Sequence, residues 1–307
     1  MPRRLTYIIL AVAAVAASFL VWSAWHNSRS LSDGEMLTRL PAADSVVLSI
    51  DFGQIRHSRL FSELAGSKVV QDADYLAFVR DTGFDYQRDL DEVLAAFTPA
   101  GNYFVVRGRF DWKKLESFVK KSGGSCYDKL CHLQGSVPEH RISFLPLAPD
   151  VMGLAVSSEE LAASRLLHRS PQRAIRVPSQ PVWLSIPGAS LNRTAKAVPG
   201  AFFFTESMSG VEDLMLTLGP NGVEANSFVL RLDAQCKTTQ DAANLTGQLK
   251  TYTSIFKAAL GREKKEPDPK DLSGILTAGQ FHQSDRAVYG EWTLQKSFLD
   301  HLSGEAR

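Results

Sequence analysis

Val47-Leu48-Ser49-Ile50 and Trp183-Leu184-Ser185-Ile186 write one short strand pattern twice, 136 positions apart. The same offset separates Val156 from Trp292, which end two further apolar strand runs. Between these points the elements recur in order. "LAAFTPAGNYFVVRGRFD" (94–111) and "LMLTLGPNGVEANSFVLRLD" (214–233) each set apolar runs around a Pro-x-Gly turn, a hairpin signal. Phe104-Val105-Val106-Arg107 aligns with Phe228-Val229-Leu230-Arg231. Each hairpin leads into a helix, over 111–121 with Asp111 as cap and over 238–260. Each half then closes as strand, turn, strand, helix, over 140–169 and 274–302; Ser157 and Ser158 before Glu159 and Glu160 read as a helix start. A repeat of this kind constrains the body to two modules of like fold. The expectation is an α+β class: an N-terminal transmembrane helix, then two tandem antiparallel sheet/helix modules, either ferredoxin-like side by side or sharing one sheet. The boundaries read 1–35 for tip, anchor and tether, 36–170 for the first module and 171–307 for the second. "RSPQRAIRVPSQ" (169–180) is the linker, and "GREKKEPDPKD" (261–271) is an exposed loop.

The anchor is the run Leu5 to Trp25, 21 residues without a charge. As a helix it reaches roughly 30 Å, the thickness of the hydrocarbon core. Arg3 and Arg4 precede it, and Trp22 and Trp25 stand at its far end, which argues for a cytoplasmic N-terminus and a periplasmic or extracellular body on a single-pass inner or plasma membrane protein. The run is long for a cleaved signal peptide. A formal net charge of +1 supplies no basic field, so nucleic acid is not an expected partner.

An oxidising compartment bears on the three cysteines, Cys126, Cys131 and Cys236. "SCYDKLCH" (125–132) fits a tight hairpin with Asp128-Lys129 at its tip. Tyr127 and Leu130 then close the turn, and Cys126 and Cys131 form the next, non-hydrogen-bonded pair, close enough for a disulfide. The alternatives for Cys126, Cys131 and His132 are haem attachment, which prefers Cys-x-x-Cys-His, and a metal site, which needs ligands not legible here. Cys236 reads as a core residue.

"LPAADSVVLSIDFGQIRHSRLFSEL" (40–64) resembles the opening of bacterial membrane-anchored proteins with a Leu-Pro-Ala-Asp-Ala signature, with Ala43 inserted here. The resemblance implies a membrane helix followed by a repeated α+β exterior domain, and it implies no catalytic residue.

Motifs that carry chemistry are sparse. Ser117-Phe-Val-Lys120 and Ser254-Ile-Phe-Lys257 have the Ser-x-x-Lys spacing of penicillin-recognising enzymes, without the companion Ser-Asp-Asn and Lys-Thr-Gly motifs. Asp85, Asp89, Asp91 and Glu92 gather carboxylates without calcium-loop spacing. His26, His57, His132, His140, His168, His282 and His301 form no ligand pattern. Asn192 and Asn244 lie in glycosylation sequons, and "AFFFTE" (201–206) reads as a buried strand or a partner-binding edge. The sequence therefore predicts a membrane-anchored, extracytoplasmic, non-enzymatic binding or accessory subunit with a protein partner or membrane complex and no cofactor. A cell-wall-region serine enzyme or a haem or metal carrier is the alternative.

Overall fold

The structure, a computed structural model, describes residues 30–57, 73–135, 137–171, 173–191, 208–222 and 227–298. The expected anchor at 5–25, Asn192, His301 and the triple-phenylalanine segment at 201–206 lie outside the described residues. No helix among the described residues is long and apolar enough to cross a membrane.

The chain enters through helix α1 (Asp33–Arg39), started by a capping box: the Glu35 N–H donates to Ser32 Oγ at 3.3 Å and the Ser32 N–H donates to the Glu35 carboxylate at 2.9 Å. Strand β1 (Val46–Asp51) alternates buried and half-buried residues and runs into α2 (Phe52–His57). Helices α3 (Ala73–Thr82) and α4 (Tyr86–Asp89) precede the hairpin β2 (Leu90–Thr98) and β3 (Gly101–Gly108). Asp111 caps α5 (Trp112–Lys121), accepting from the Lys114 N–H at 3.1 Å, and Leu115 and Val119 form its buried stripe. Then come β4 (Ser125–Tyr127), β5 (Leu130–Gln134), β6 (Arg141–Ala148) and β7 (Val151–Ser157).

After β7 the structure corrects the expected α-helix. Ser157 Oγ donates to the Ala100 carbonyl at 2.8 Å and accepts from the Glu159 N–H, so it ties the strand end to the β2–β3 turn. The chain then forms a short 3₁₀ helix, Ala162–Leu167, with no side-chain cap.

The second half contributes β8 (Val182–Pro187), β9 (Val211–Pro220), β10 (Ser227–Cys236), a long helix α6 (Thr239–Arg262) capped by Thr238, a short helix α7 (Leu272–Ala278) capped by Asp271, β11 (Gln280–Ser284) and β12 (Ala287–Gln295).

Among the described residues twelve strands join one antiparallel sheet in the order β11-β12-β10-β9-β8-β1-β2-β3-β7-β6-β5-β4. At its middle β1 pairs with β8 so that Leu48 faces Leu184, Val47 faces Ser185 and Ser49 faces Trp183. Outward from this centre the order is β1-β2-β3-β7-β6 on one side and β8-β9-β10-β12-β11 on the other. The row through Leu48 runs Ala95, Phe104, Leu154, Phe144, Cys131, Cys126. The row through Leu184 runs Leu216, Leu232, Gly290, Phe281. Counted by ladder, Phe104 corresponds to Leu232 rather than to Phe228, while Leu154 and Gly290 keep the 136-residue offset.

The two faces are covered differently. On the face carrying Val47, Leu94, Tyr103 and Ala155, helix α1 and the 3₁₀ helix close a core with Met36, Leu40, Ala163 and Leu166. On the opposite face, α5 packs Leu115 and Val119 onto Cys131, Phe144 and Met152, and α6 packs Ala242 and Leu245 onto Leu214, Leu232 and Ala234. Among the described residues one region has no apolar cover of this kind: the Val47 face of the second half, where Asp213, Arg231, Asp233, Gln235 and Glu291 stand in rows.

Candidate functional site

That polar face arises from strict alternation in β10. Leu232, Ala234 and Cys236 point to α6 and Leu230, on the same face, packs with Phe228 and Leu294, so Arg231, Asp233 and Gln235 point the other way. Segment 173–180 folds back across them and encloses a groove of about 1020 Å³. The expected linker is thus a strap on the sheet. Its attachment is Arg173, whose side chain is only 16% exposed: the guanidinium ion-pairs with Asp213 and donates to Ser185 Oγ at 2.8 Å. Ile175 anchors it further by packing against the first-half core. Burial dominates the electrostatics of both partners. It pushes the Arg173 pKa down and the Asp213 pKa up, and their mutual attraction opposes each shift. Across the groove floor Arg231 pairs with Glu291 at 3.0 Å, and His282 stacks on Tyr289 at 5.0 Å between ring centres. Three arginines (173, 176, 231) and four carboxylates (212, 213, 233, 291) line the space, so it suits a ligand with both donors and acceptors rather than a simple anion.

The β4–β5 hairpin holds the cysteines. Asp128 and Lys129 both have positive φ, 45° and 67°, as a two-residue type I′ turn requires. Tyr127 faces Leu130, and Cys126 faces Cys131 with Cα atoms 4.0 Å apart and a disulfide between them. Both sulfurs are consumed, so neither is available to haem or metal. His132 is engaged elsewhere: Nε2 lies 2.6 Å from Ser125 Oγ, and Nδ1 lies 3.0 Å from Glu160 Oε1. Arg141 holds the other oxygen of Glu160 at 2.6 Å. Ser125 and His132 are opposite residues of the hairpin, a pairing implicit in the sequence register; Glu160 arrives through β6 and β7.

The other sequence candidates disperse. Ser117 and Lys120 are exposed on α5; Ser254, on α6, donates to the Lys250 carbonyl of its own helix at 2.9 Å. Asp85 caps α4 and accepts from the Tyr75 hydroxyl at 2.8 Å, Asp89 pairs with Arg88 and Arg109, Asp91 with Arg56 and Glu92 with Arg107. Among the described residues no group of three or more His, Cys, Asp or Glu is placed to hold a metal. Asn244 is exposed on α6, and Cys236 is a buried free thiol whose pKa burial raises.

Glu92 is a strongly perturbed carboxyl. Burial, aided by nearby Asp33, pushes it up to about 7 against the pull of Arg107. Arg107 bonds Glu92 at 2.7 Å, Asp33 at 3.1 Å and the Leu31 carbonyl at 2.6 Å, so it fastens the chain entering α1 to the sheet.

No family model matches the chain, and no curated protein matches it. Solved structures share its fold. Crystal form I of TP0453 superposes with a TM-score of 0.50 at 14% identity, covering 90% of this chain and 98% of that one. Crystal form III gives 0.50 at 13% identity, covering 90% and 99%. At these identities the likeness concerns the fold.

Proposed function

We propose that the chain is a membrane-tethered, extracytoplasmic binding or accessory module whose partner-facing surface is the strapped groove. The observation that carries the binding role is the groove itself. A sheet face built from alternating charged residues, roofed by a strap through a half-buried ion pair, presents a fixed array of donors and acceptors. Pre-ordered polar groups of this kind favour selective recognition, because little side-chain freedom remains to be lost on binding.

The tether and location rest on the uncharged run at 5–25 and on the Cys126–Cys131 disulfide, a bond that persists in oxidising compartments. Membership of the Leu-Pro-Ala-Asp-Ala group belongs to the same reading. We read the body as a duplication over 36–170 and 171–307. The support is the strand order counted outward from Leu48 and Leu184 and the ladder equivalence of Leu154 with Gly290. On that reading the strap stands where α1 stands in the first half, and among the described residues it covers this sheet face with a polar groove rather than an apolar core.

Crosslinking mass spectrometry on native membranes tests this. The expected result is a reproducible set of crosslinks from residues near the groove to one membrane or periplasmic protein. Crosslinks confined to the chain itself, or scattered over many abundant proteins, count against a partner.

A further inference from the structure

A second arrangement, remote in the sheet from the groove, is unused by the binding role. Ser125 and His132 face each other on β4 and β5, next to the disulfide-linked pair. The three groups stand in series: Ser125 Oγ to His132 Nε2 at 2.6 Å, then His132 Nδ1 to Glu160 Oε1 at 3.0 Å. This is the order of nucleophile, base and orienting carboxylate that defines an activated serine. We propose that Ser125 is an acyl-accepting nucleophile toward carboxylic esters with an apolar acyl group, with His132 as its general base. The proposal goes beyond the binding reading and does not rest on it.

Each neighbour has a physical part. The carboxylate facing Nδ1 selects the tautomer with hydrogen on Nδ1 and leaves the Nε2 lone pair toward Ser125. Arg141, at 2.6 Å from Glu160 Oε2, fixes that carboxylate so that Oε1 faces the ring. The disulfide one row away restrains the two strands and hence the Ser–His separation. Ser125 is exposed, so an ester can reach it. Tyr127, two residues along on the same face and 87% exposed, offers an aromatic surface beside the hydroxyl for an apolar acyl group.

In the reaction Oγ attacks the ester carbonyl carbon as its proton passes to Nε2. The carbon–oxygen bond to the alcohol breaks, and the departing oxygen takes the proton from Nε2. Acyl-Ser125 and free alcohol remain. Water then attacks the acyl carbon, losing a proton to Nε2; the carbon–Oγ bond breaks, Oγ takes that proton from Nε2, and the acid leaves with Ser125 restored. No further reactant is needed. Alternation along the hairpin makes Ser125–His132 a hydrogen-bonded pair, so the Ser125 N–H belongs to the ladder and is not offered to an oxyanion. Turnover is therefore slow, and the trapped serine is the sensitive readout.

The test treats the full-length protein with a fluorophosphonate probe and locates the adduct by peptide mass spectrometry. The proposal expects the adduct on Ser125, its loss in S125A, and labelling about 100-fold slower in H132Q, the lower end of general-base contributions. E160Q keeps the side-chain shape at a half-exposed position whose ion pairs with His132 and Arg141 contribute little to stability; it slows labelling while thermal melting stays close to that of the native fold, which separates a chemical loss from unfolding. S117A and S254A label as the native protein does. No adduct, an adduct on another serine, or equal labelling rates in native protein, folded H132Q and E160Q overturn the proposal.

Discussion

Reducing the Cys126–Cys131 bond is the perturbation whose size is set most directly by the structure. The bond closes a loop between residues five apart in sequence, and four of the loop's residues form the two-residue turn and its closing pair. In the chain-entropy account, cross-linking so short a loop removes about 2 kcal/mol of freedom from the unfolded chain. The folded state changes little on reduction. Cys131 is 1% exposed beneath α5 with Val119 and Phe144, so its sulfur stays buried whether oxidised or reduced. Reduction should therefore lower unfolding stability by about 2 kcal/mol without loss of the fold. Urea titrations with and without a reductant, followed by tryptophan fluorescence and circular dichroism, read this as a lower midpoint at unchanged slope. The buried thiol Cys236 is free in both states and cancels from the comparison. The double variant C126A/C131A should lose more than reduction does, since it also empties space under α5. An unchanged midpoint, or collapse of the fold on mild reduction, would show that the bond does not act by restraining the unfolded chain.

Other consequences are measurable. Glu92 has its folded pKa raised to about 7, so the folded state holds the proton more tightly than the unfolded one. Its contribution is stabilising below about pH 4.5 and is lost as pH rises to about 7; E92Q should flatten this part of the stability profile in urea titrations at pH 5 and pH 8. R173M leaves Asp213 half-buried without its cation and should cost about 2 kcal/mol, less than the full penalty for a deeply buried pair; limited proteolysis should then cut the strap at Arg176, while D213N in the same background restores part of the stability. G101A should cost about 2 kcal/mol or more in a thermal melt, because φ is 147° there and an added Cβ would stand 2.7 Å from the Val156 carbonyl oxygen.

Local chemistry was the legible part of this fold. The Asp128-Lys129 tip and period-2 alternation are enough to place Cys126 opposite Cys131, and the structure has that register. The Asp111 cap marks where α5 begins, and the helix read over 238–260 is α6, which the structure caps with Thr238. Similar words misled where loop lengths differ: Phe-Val-Val-Arg and Phe-Val-Leu-Arg look equivalent, yet the longer β9–β10 turn shifts the ladder by four residues, so Phe104 shares its row position with Leu232. The polar face of β10 was present as Leu-Arg-Leu-Asp-Ala-Gln-Cys, a plain alternation. What covers it was not, because a Pro- and Arg-rich segment reads as a solvated linker until Arg173 meets Asp213 forty residues later. The same holds for Glu160. Its approach to His132 depends on two intervening strands, and no spacing rule encodes it.

The proposed binding role is tested most directly by a photocrosslinking amino acid placed at Gln235, in the groove, and at Lys113, exposed on α5 across the sheet. In native membranes position 235 should give one discrete adduct and position 113 none, with the adduct lost when R173M loosens the strap. No adduct from 235, or the same adducts from both positions, would contradict it.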